Sequence, residues 1–257
     1  MNQQRYWNES ALVLKRYSAG EKDRQVILYI KGVGKISAKA RGAKNLTSPF
    51  VSRLSPLNTC RVLMYRAGSG YWTITQCETL REFTPEKHST KKAIIGLTMM
   101  DIIDRCSEPE HVNDPLYEVT IETLEKLELM IDEKKMEQLF DIFQVKIFEI
   151  LGILPSFSHC TRCHQKIDPE KISGWDMLQI TCHDCEKFNP KKHARETFNK
   201  EYLKLLNYLQ KNTIEASLKI SMDEDQNKDM KKMLRTLWNA QTFSLPKSFD
   251  VLESLHA

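Results

Sequence analysis

Four of the seven cysteines form two Cys-x-x-Cys pairs, Cys160-Thr161-Arg162-Cys163 and Cys182-His183-Asp184-Cys185, with 18 residues between them. This is the spacing of a structural zinc site. Two thiolates on one tight knuckle chelate one side of a tetrahedral ion, and a second knuckle brought back by a hairpin closes the other side. The intervening stretch suits such a ribbon: it carries Pro169, Gly174, Trp175 and the strand-like Met177-Leu178-Gln179-Ile180. A lone pair would read equally as a redox motif. Iron–sulfur clusters also take four cysteines, but in more clustered spacings. His159, His164 and His183 flank the knuckles and could replace a ligand; with four thiolates present they are expected beside the site. A site with four protein ligands keeps no open position for water, so one structural Zn²⁺ is the expectation. Four thiolates and Zn²⁺ sum to −2, which Arg162, Lys166, Lys187, Lys191 and Lys192 would offset. Cys60, Cys77 and Cys106 stand among apolar residues and read as core.

A second chemistry lies in the cations. Lys35 to Arg41 alternates strictly, with Lys35, Ser37, Lys39 and Arg41 on one pleated face and Ile36, Ala38 and Ala40 on the other. Same-face neighbours are about 6.6 Å apart, close to the phosphate spacing of an extended nucleic-acid strand. Arg24, Lys44, Arg53, Arg61 and Arg66 can extend that surface. Tyr65, Tyr71 and Trp72 could stack bases, or could equally be core. Formal charge is +4 overall but segregated. Residues 1–80 carry 13 Lys/Arg against 4 Asp/Glu, residues 81–158 carry 9 against 16, and residues 159–257 carry 16 against 14. A basic head points to an anionic partner.

The elements that must hold these groups are legible from period. Ala11–Tyr17, Arg24–Lys31, Lys35–Arg41, Asn58–Arg66 and Tyr71–Glu82 read as strands, separated by turn signals such as Gly20 and Gly68-Ser69-Gly70. Five short strands with a long connection between the third and fourth suggest a small barrel of the OB type. From about residue 86 the period becomes helical. Ile94, Leu97 and Met100 mark one stripe; Asp114-Pro115 opens the next, which runs through Leu127 to Ile131; Met136 to Leu151 marks a third. After the ribbon, helices are expected over about 197–212, with Phe198 and Leu205 inward, and about 224–242, with Met233 and Trp238 inward. The fold class is therefore α+β: an N-terminal five-stranded OB-type β-barrel, then an all-α domain with an inserted four-cysteine zinc ribbon. The boundaries are 1–82 for the barrel and 83–257 for the helical domain, with the ribbon at about 158–190. No apolar run approaches the roughly 20 residues that span a bilayer, so no membrane partner is expected. Met1–Ser10 has no apolar signal core, which places the chain in the cytoplasm.

Enzyme motifs are missing. There is no H-E-x-x-H, no Gly-x-Ser-x-Gly and no phosphate-binding P-loop, so no catalytic residues are expected. A zinc-ribbon regulator reading duplex sequence is the alternative; it would bind specific duplexes, whereas a barrel binds single strands of any sequence.

Several segments resemble the RecO family of DNA-repair proteins. They are Ala11-Leu12-Val13-Leu14-Lys15, Gly20-Glu21-Lys22-Asp23-Arg24, Gly34 to Ala43, Thr73 to Glu78, Phe148 to Pro155 running into Cys160, and Lys247-Ser248-Phe249. The resemblance implies a recombination mediator without turnover. It implies binding of single- and double-stranded DNA and annealing of complementary strands. It implies RecR and the acidic C-terminal tail of single-strand DNA-binding protein as partners, with RecA loaded onto coated DNA. A cytoplasmic, nucleoid-associated location follows from the same resemblance. Arg24, Lys35, Lys39, Arg41 and Lys44 fall at matching motif positions and are the DNA-binding residues that it implies.

Overall fold

Alternation in the first eighty residues produces β1 (Tyr6–Ala19), β2 (Asp23–Ile30), β3 (Gly34–Ala40), β4 (Thr59–Arg66) and β5 (Trp72–Arg81). They close into a barrel in the order β1-β2-β3-β5-β4, with β3 and β5 the parallel pair. This is the five-stranded barrel expected from the sequence. The computed structural model describes residues 6–66, 70–83, 89–154, 158–167, 172–176, 179–187, 200–241 and 248–254. Inward positions of the alternating runs fill the barrel, among them Val26, Leu28, Ile36, Ala38, Val62, Met64 and Ile74. β1 is long because it serves two neighbours: its first half pairs with β4 and its second with β2. A register shift between Val13 and Lys15 bends it. The long connection holds one turn of helix, α1 (Phe50–Arg53), which the sequence reading passed over.

The chain packs as two compact units, residues 1–133 with 245–257, and residues 134–244. In the first, α2 (Thr90–Cys106), α3 (Asp114–Leu129) and α9 (Ser248–Ser254) join the barrel. Lys15 on β1 bridges Asp101 and Asp104 of α2, and Lys35 on β3 reaches Asp104 as well. Tyr29 of β2 donates its hydroxyl to the Asn113 carbonyl at 3.0 Å. The α2–α3 connection runs beside the start of β3, where Lys35 bridges Pro109 and accepts the Glu110 N–H. It comes so close that a Cβ on Gly34 would strike the His111 backbone, and Gly34 has φ of 95°. Glycine is required there on both counts.

Two expectations shift. Asn113, not Asp114, caps α3, so Pro115 occupies its second position. Leu97 and Ile131, placed on core stripes from the sequence, are 44% and 91% exposed. On α2 the expected Met100, Ile102 and Ile103 are buried, and Ile95 and Met99 join them.

The second unit contains α4 from Lys134 onward (the helix is Glu133–Ile150), β6 (Ile172–Asp176), β7 (Gln179–Cys182), α5 (His183–Lys187), α6 (Lys200–Lys211), α7 (Ile214–Leu218) and α8 (Glu224–Asn239). Its core includes Phe143, Phe148, Leu206, Leu237 and Trp238, with the Phe148 and Trp238 rings 4.7 Å apart. Asp223 and Gln226 form a capping box that starts α8. Pro169, Met177, Leu178, Lys191, Lys192 and Phe198 lie outside the described residues. No helix among the described residues is long and apolar enough to cross a membrane.

Candidate metal centre and nucleic-acid interface

The first knuckle is built by backbone hydrogen bonds. Cys160 N–H donates to the Gln165 carbonyl and His164 N–H to the Cys160 carbonyl, both at 2.9 Å. His164 takes φ of 57°, the left-handed turn that folds the knuckle back. Antiparallel pairing of β6 with β7 brings Cys182 alongside, and α5 carries Cys185. Thr161 N–H donates to the Ile180 carbonyl at 2.9 Å and ties the knuckle to the ribbon. The result is that the four Sγ atoms lie within 4.8 Å of one another, with Cys163 and Cys182 Sγ 3.8 Å apart. Zn–S bonds of about 2.3 Å in a tetrahedron require S···S of about 3.8 Å. The donor set therefore fits a soft tetrahedral ion. At Cys160 burial raises the thiol pKa, but the N–H groups of Cys163, Cys182 and Arg162 outweigh it and bring the thiol down to about 6. A sulfur so surrounded is ready to bind as thiolate.

The five expected DNA-contacting cations divide. Lys39 and Arg41 lie at the end of β3, beside the turn between β1 and β2. Asp23 organises that corner: it accepts the Gly42 N–H at 2.9 Å and pairs with Lys39 at 2.9 Å. Those two contacts, the Gly42 N–H first, hold its carboxyl below the usual range. Lys44 donates from Nζ to the Gly20 carbonyl across the same turn. Arg24 places its Nε in a buried position with no partner among the described residues. It lies close enough to Arg16 for repulsion to add to the larger effect of burial on Arg16, lowering its pKa. Lys35 stands apart: its ammonium is taken up by the Asp104 carboxylate and carbonyl, under α2. The sequence singled out Arg24, Lys39, Arg41 and Lys44 in this corner, but not Arg16, Lys22 or Asp23; the position of Asp23 in a Gly-Glu-Lys-Asp-Arg turn was the available signal.

Of the aromatics, Trp72 is core. It is 5% exposed and stacks on Trp7 at 4.1 Å, with Arg66 over its ring. Alternation decided this, since Trp72 shares the inward phase of Ile74. Tyr65 takes the outward phase of β4 and Tyr71 is 83% exposed.

Residues 1–83 match the family described as recombination protein O N terminal, and residues 87–248 match recombination protein O C terminal. The chain is 28% identical over 236 residues to DNA repair protein RecO of Caldanaerobacter subterraneus, covering 90% of this chain and 93% of that one. It is 27% identical to DNA repair protein RecO of Bacillus cereus, covering 95% of each. With the protein of the same name from Alkaliphilus metalliredigens it shares 23%, over 87% and 88% of the two chains.

Proposed function

The chain belongs to the recombination protein O family of DNA-repair proteins, and on that premise we propose that it mediates recombination by holding DNA on the barrel of residues 1–82, without chemical turnover. The observation that carries this reading is the cationic corner of Arg24, Lys39, Arg41 and Lys44, gathered at one end of an OB-type barrel around the β1–β2 turn. Phosphate contacts from such a corner favour neither sequence nor strand number, which suits binding of single- and double-stranded DNA and annealing of complementary strands. Lys35 is also at a family motif position, but it contributes by docking α2 unless Asp104 lets go.

The four cysteines hold one Zn²⁺ that shapes the ribbon and takes no part in chemistry. The helical residues 83–257 offer surfaces for the recombination machinery: RecR, the acidic tail of single-strand DNA-binding protein, and RecA as the recombinase loaded. The protein acts on cytoplasmic, nucleoid DNA.

The test is annealing of complementary oligonucleotides, naked and coated with single-strand DNA-binding protein, without nucleotide or added metal. Faster annealing of both is expected. Folded, zinc-loaded protein that anneals neither would count against mediation, and binding restricted to one duplex sequence would favour a regulator.

A further inference from the structure

Helices α2 and α3 leave only part of the barrel's outer surface open. Tyr29 of β2 and Lys35 of β3 face outward and are held by the α2–α3 connection and by α2. These are the two strands on which barrels of this type usually bind a strand of nucleic acid. The uncovered surface continues instead from the end of β3 across β5 and β4 to the start of β1. Register defines a row across it: Lys39 pairs with Thr73, Thr73 with Tyr65, and Tyr65 with Tyr6. All four take the outward phase, because Ala38, Ile74, Met64 and Trp7 beside them pack on the barrel core. Three strand spacings separate Lys39 from Tyr6, roughly 14 Å around the barrel. At about 6.6 Å per nucleotide that row spans about two nucleotides, a part of the roughly 4–16 such a barrel engages.

Tyr6 and Tyr65 form a ring pair at the end of this row, with centroids 6.1 Å apart and planes tilted by 32°. Tyr6 is 64% exposed. Two residues further along the strands, and so on the same face, Asn8 and Leu63 line a groove of about 560 Å³ together with Arg53 and Arg61. Arg61 makes no ion pair among the described residues, while Arg53 also holds the Cys77 carbonyl. Glu78 lines the same groove, so the face is no continuous cationic rail. Arg61 stands opposite Glu78 across β4 and β5, so the groove is only weakly cationic; aromatic surface beside a few cations suits an unpaired base and its phosphate, and gives a duplex, whose bases are stacked away, little to hold.

We propose that Tyr6 and Tyr65 stack an unpaired base of single-stranded DNA, with Arg61 on a phosphate of the adjoining nucleotide in the groove. This subsite rests on the DNA-binding reading above and deepens it, by separating single-strand contacts from the corner that binds either form. The experiment measures binding of full-length, zinc-loaded protein to three probes: oligo-dT of about 20 nucleotides, an abasic strand of the same length, and a duplex. The double variant Tyr6→Ala/Tyr65→Ala is expected to bind oligo-dT about ten-fold more weakly and the other two probes as before. The double variant Tyr6→Phe/Tyr65→Phe is expected to keep wild-type affinity. Undiminished oligo-dT binding by the alanine variant, or an equal loss on the abasic strand, overturns the subsite while leaving DNA binding intact. Wild-type protein that binds none of the probes at low salt overturns both readings. Tyr6→Trp keeps the test independent of any folding loss: its added fluorescence should be quenched by oligo-dT and not by the abasic strand, and quenching by neither overturns the subsite.

Discussion

Asp141 sits in α4 with its carboxylate enclosed by the second unit, 5% exposed. Oδ1 receives one long N–H contact from Gln144 at 3.4 Å, and Oδ2 has no partner among the described residues. Burial is the main cause that pushes its pKa up to about 7; Glu137 adds to the rise and Lys231 opposes it. An ordinary aspartate titrates near 3.9. Between those values the folded chain holds a proton that the unfolded chain has released, so stability falls as pH rises through the window. The slope reaches about 1.4 kcal/mol per pH unit and the sum about 4 kcal/mol as an upper bound. Asp141→Asn should therefore stabilise the protein at pH near 8 and gain progressively less as pH falls toward 5.5. Unfolding midpoints of the zinc-loaded wild type and variant at both ends of the window check this, and equal shifts at both would refute it. Nothing in the sequence marked Asp141. Its neighbours in α4 follow a helical stripe, and only the packing of that helix on several sides reveals a carboxylate within it.

The elements divide by how local their causes are. The ribbon was legible because its chemistry is written in two short loops: a Cys-x-x-Cys knuckle closes through hydrogen bonds spanning five residues, and the second pair only has to return. The barrel strands were legible because Ile36, Ala38 and Ala40 alternate with polar neighbours. What escaped depends on partners distant in sequence. Lys35 has the pattern of a solvent-facing cation, yet its partner Asp104 lies 69 residues on. Tyr6 falls in a stretch read only as a polar lead, and becomes an exposed ring because β1 extends to pair with β4. The local ribbon yields a direct expectation. Purified protein should carry one zinc per chain. Cys163→Ser or Cys182→Ser should lose the metal and lower the unfolding midpoint, since metal binding to such a site is folding free energy. Mass-spectrometric metal content with thermal unfolding measures both. Carefully prepared wild type holding little zinc, or a serine variant of unchanged content and midpoint, would remove the ion from this ribbon.

Across the whole chain, the charge segregation has two causes that the sequence merges into one number. Residues 1–80 carry 13 cations against 4 acids, and the following 78 residues reverse the balance. Part of that complementarity is internal to the first unit. Lys15, Lys31 and Lys35 bridge Asp101, Glu118 and Asp104; Arg66 bridges Glu110; Arg81 bridges Glu125 and Glu128. Lys15 and Lys35 are half-buried under α2 and closed to phosphate, whereas the Lys31–Glu118 pair lies at the surface. On the proposed reading Lys39, Arg41, Lys44 and Arg61 are the cations that meet DNA phosphates, Lys39 by exchanging its exposed pair with Asp23. Four phosphate contacts at about 0.7 each give a slope of log affinity on log salt of about −3 for single strands. Lys39→Gln with Arg41→Gln should bring it to about −1.5 and leave the unfolding midpoint nearly unchanged. Lys35→Gln should do the reverse. It should keep the slope and cost about 1–2 kcal/mol of stability, because Asp104 loses a charged donor beneath α2. Salt titrations of oligonucleotide binding paired with urea unfolding separate the two classes. A Lys35 variant with a flattened slope and intact stability would move Lys35 back among the DNA contacts and take Asp104 away from docking.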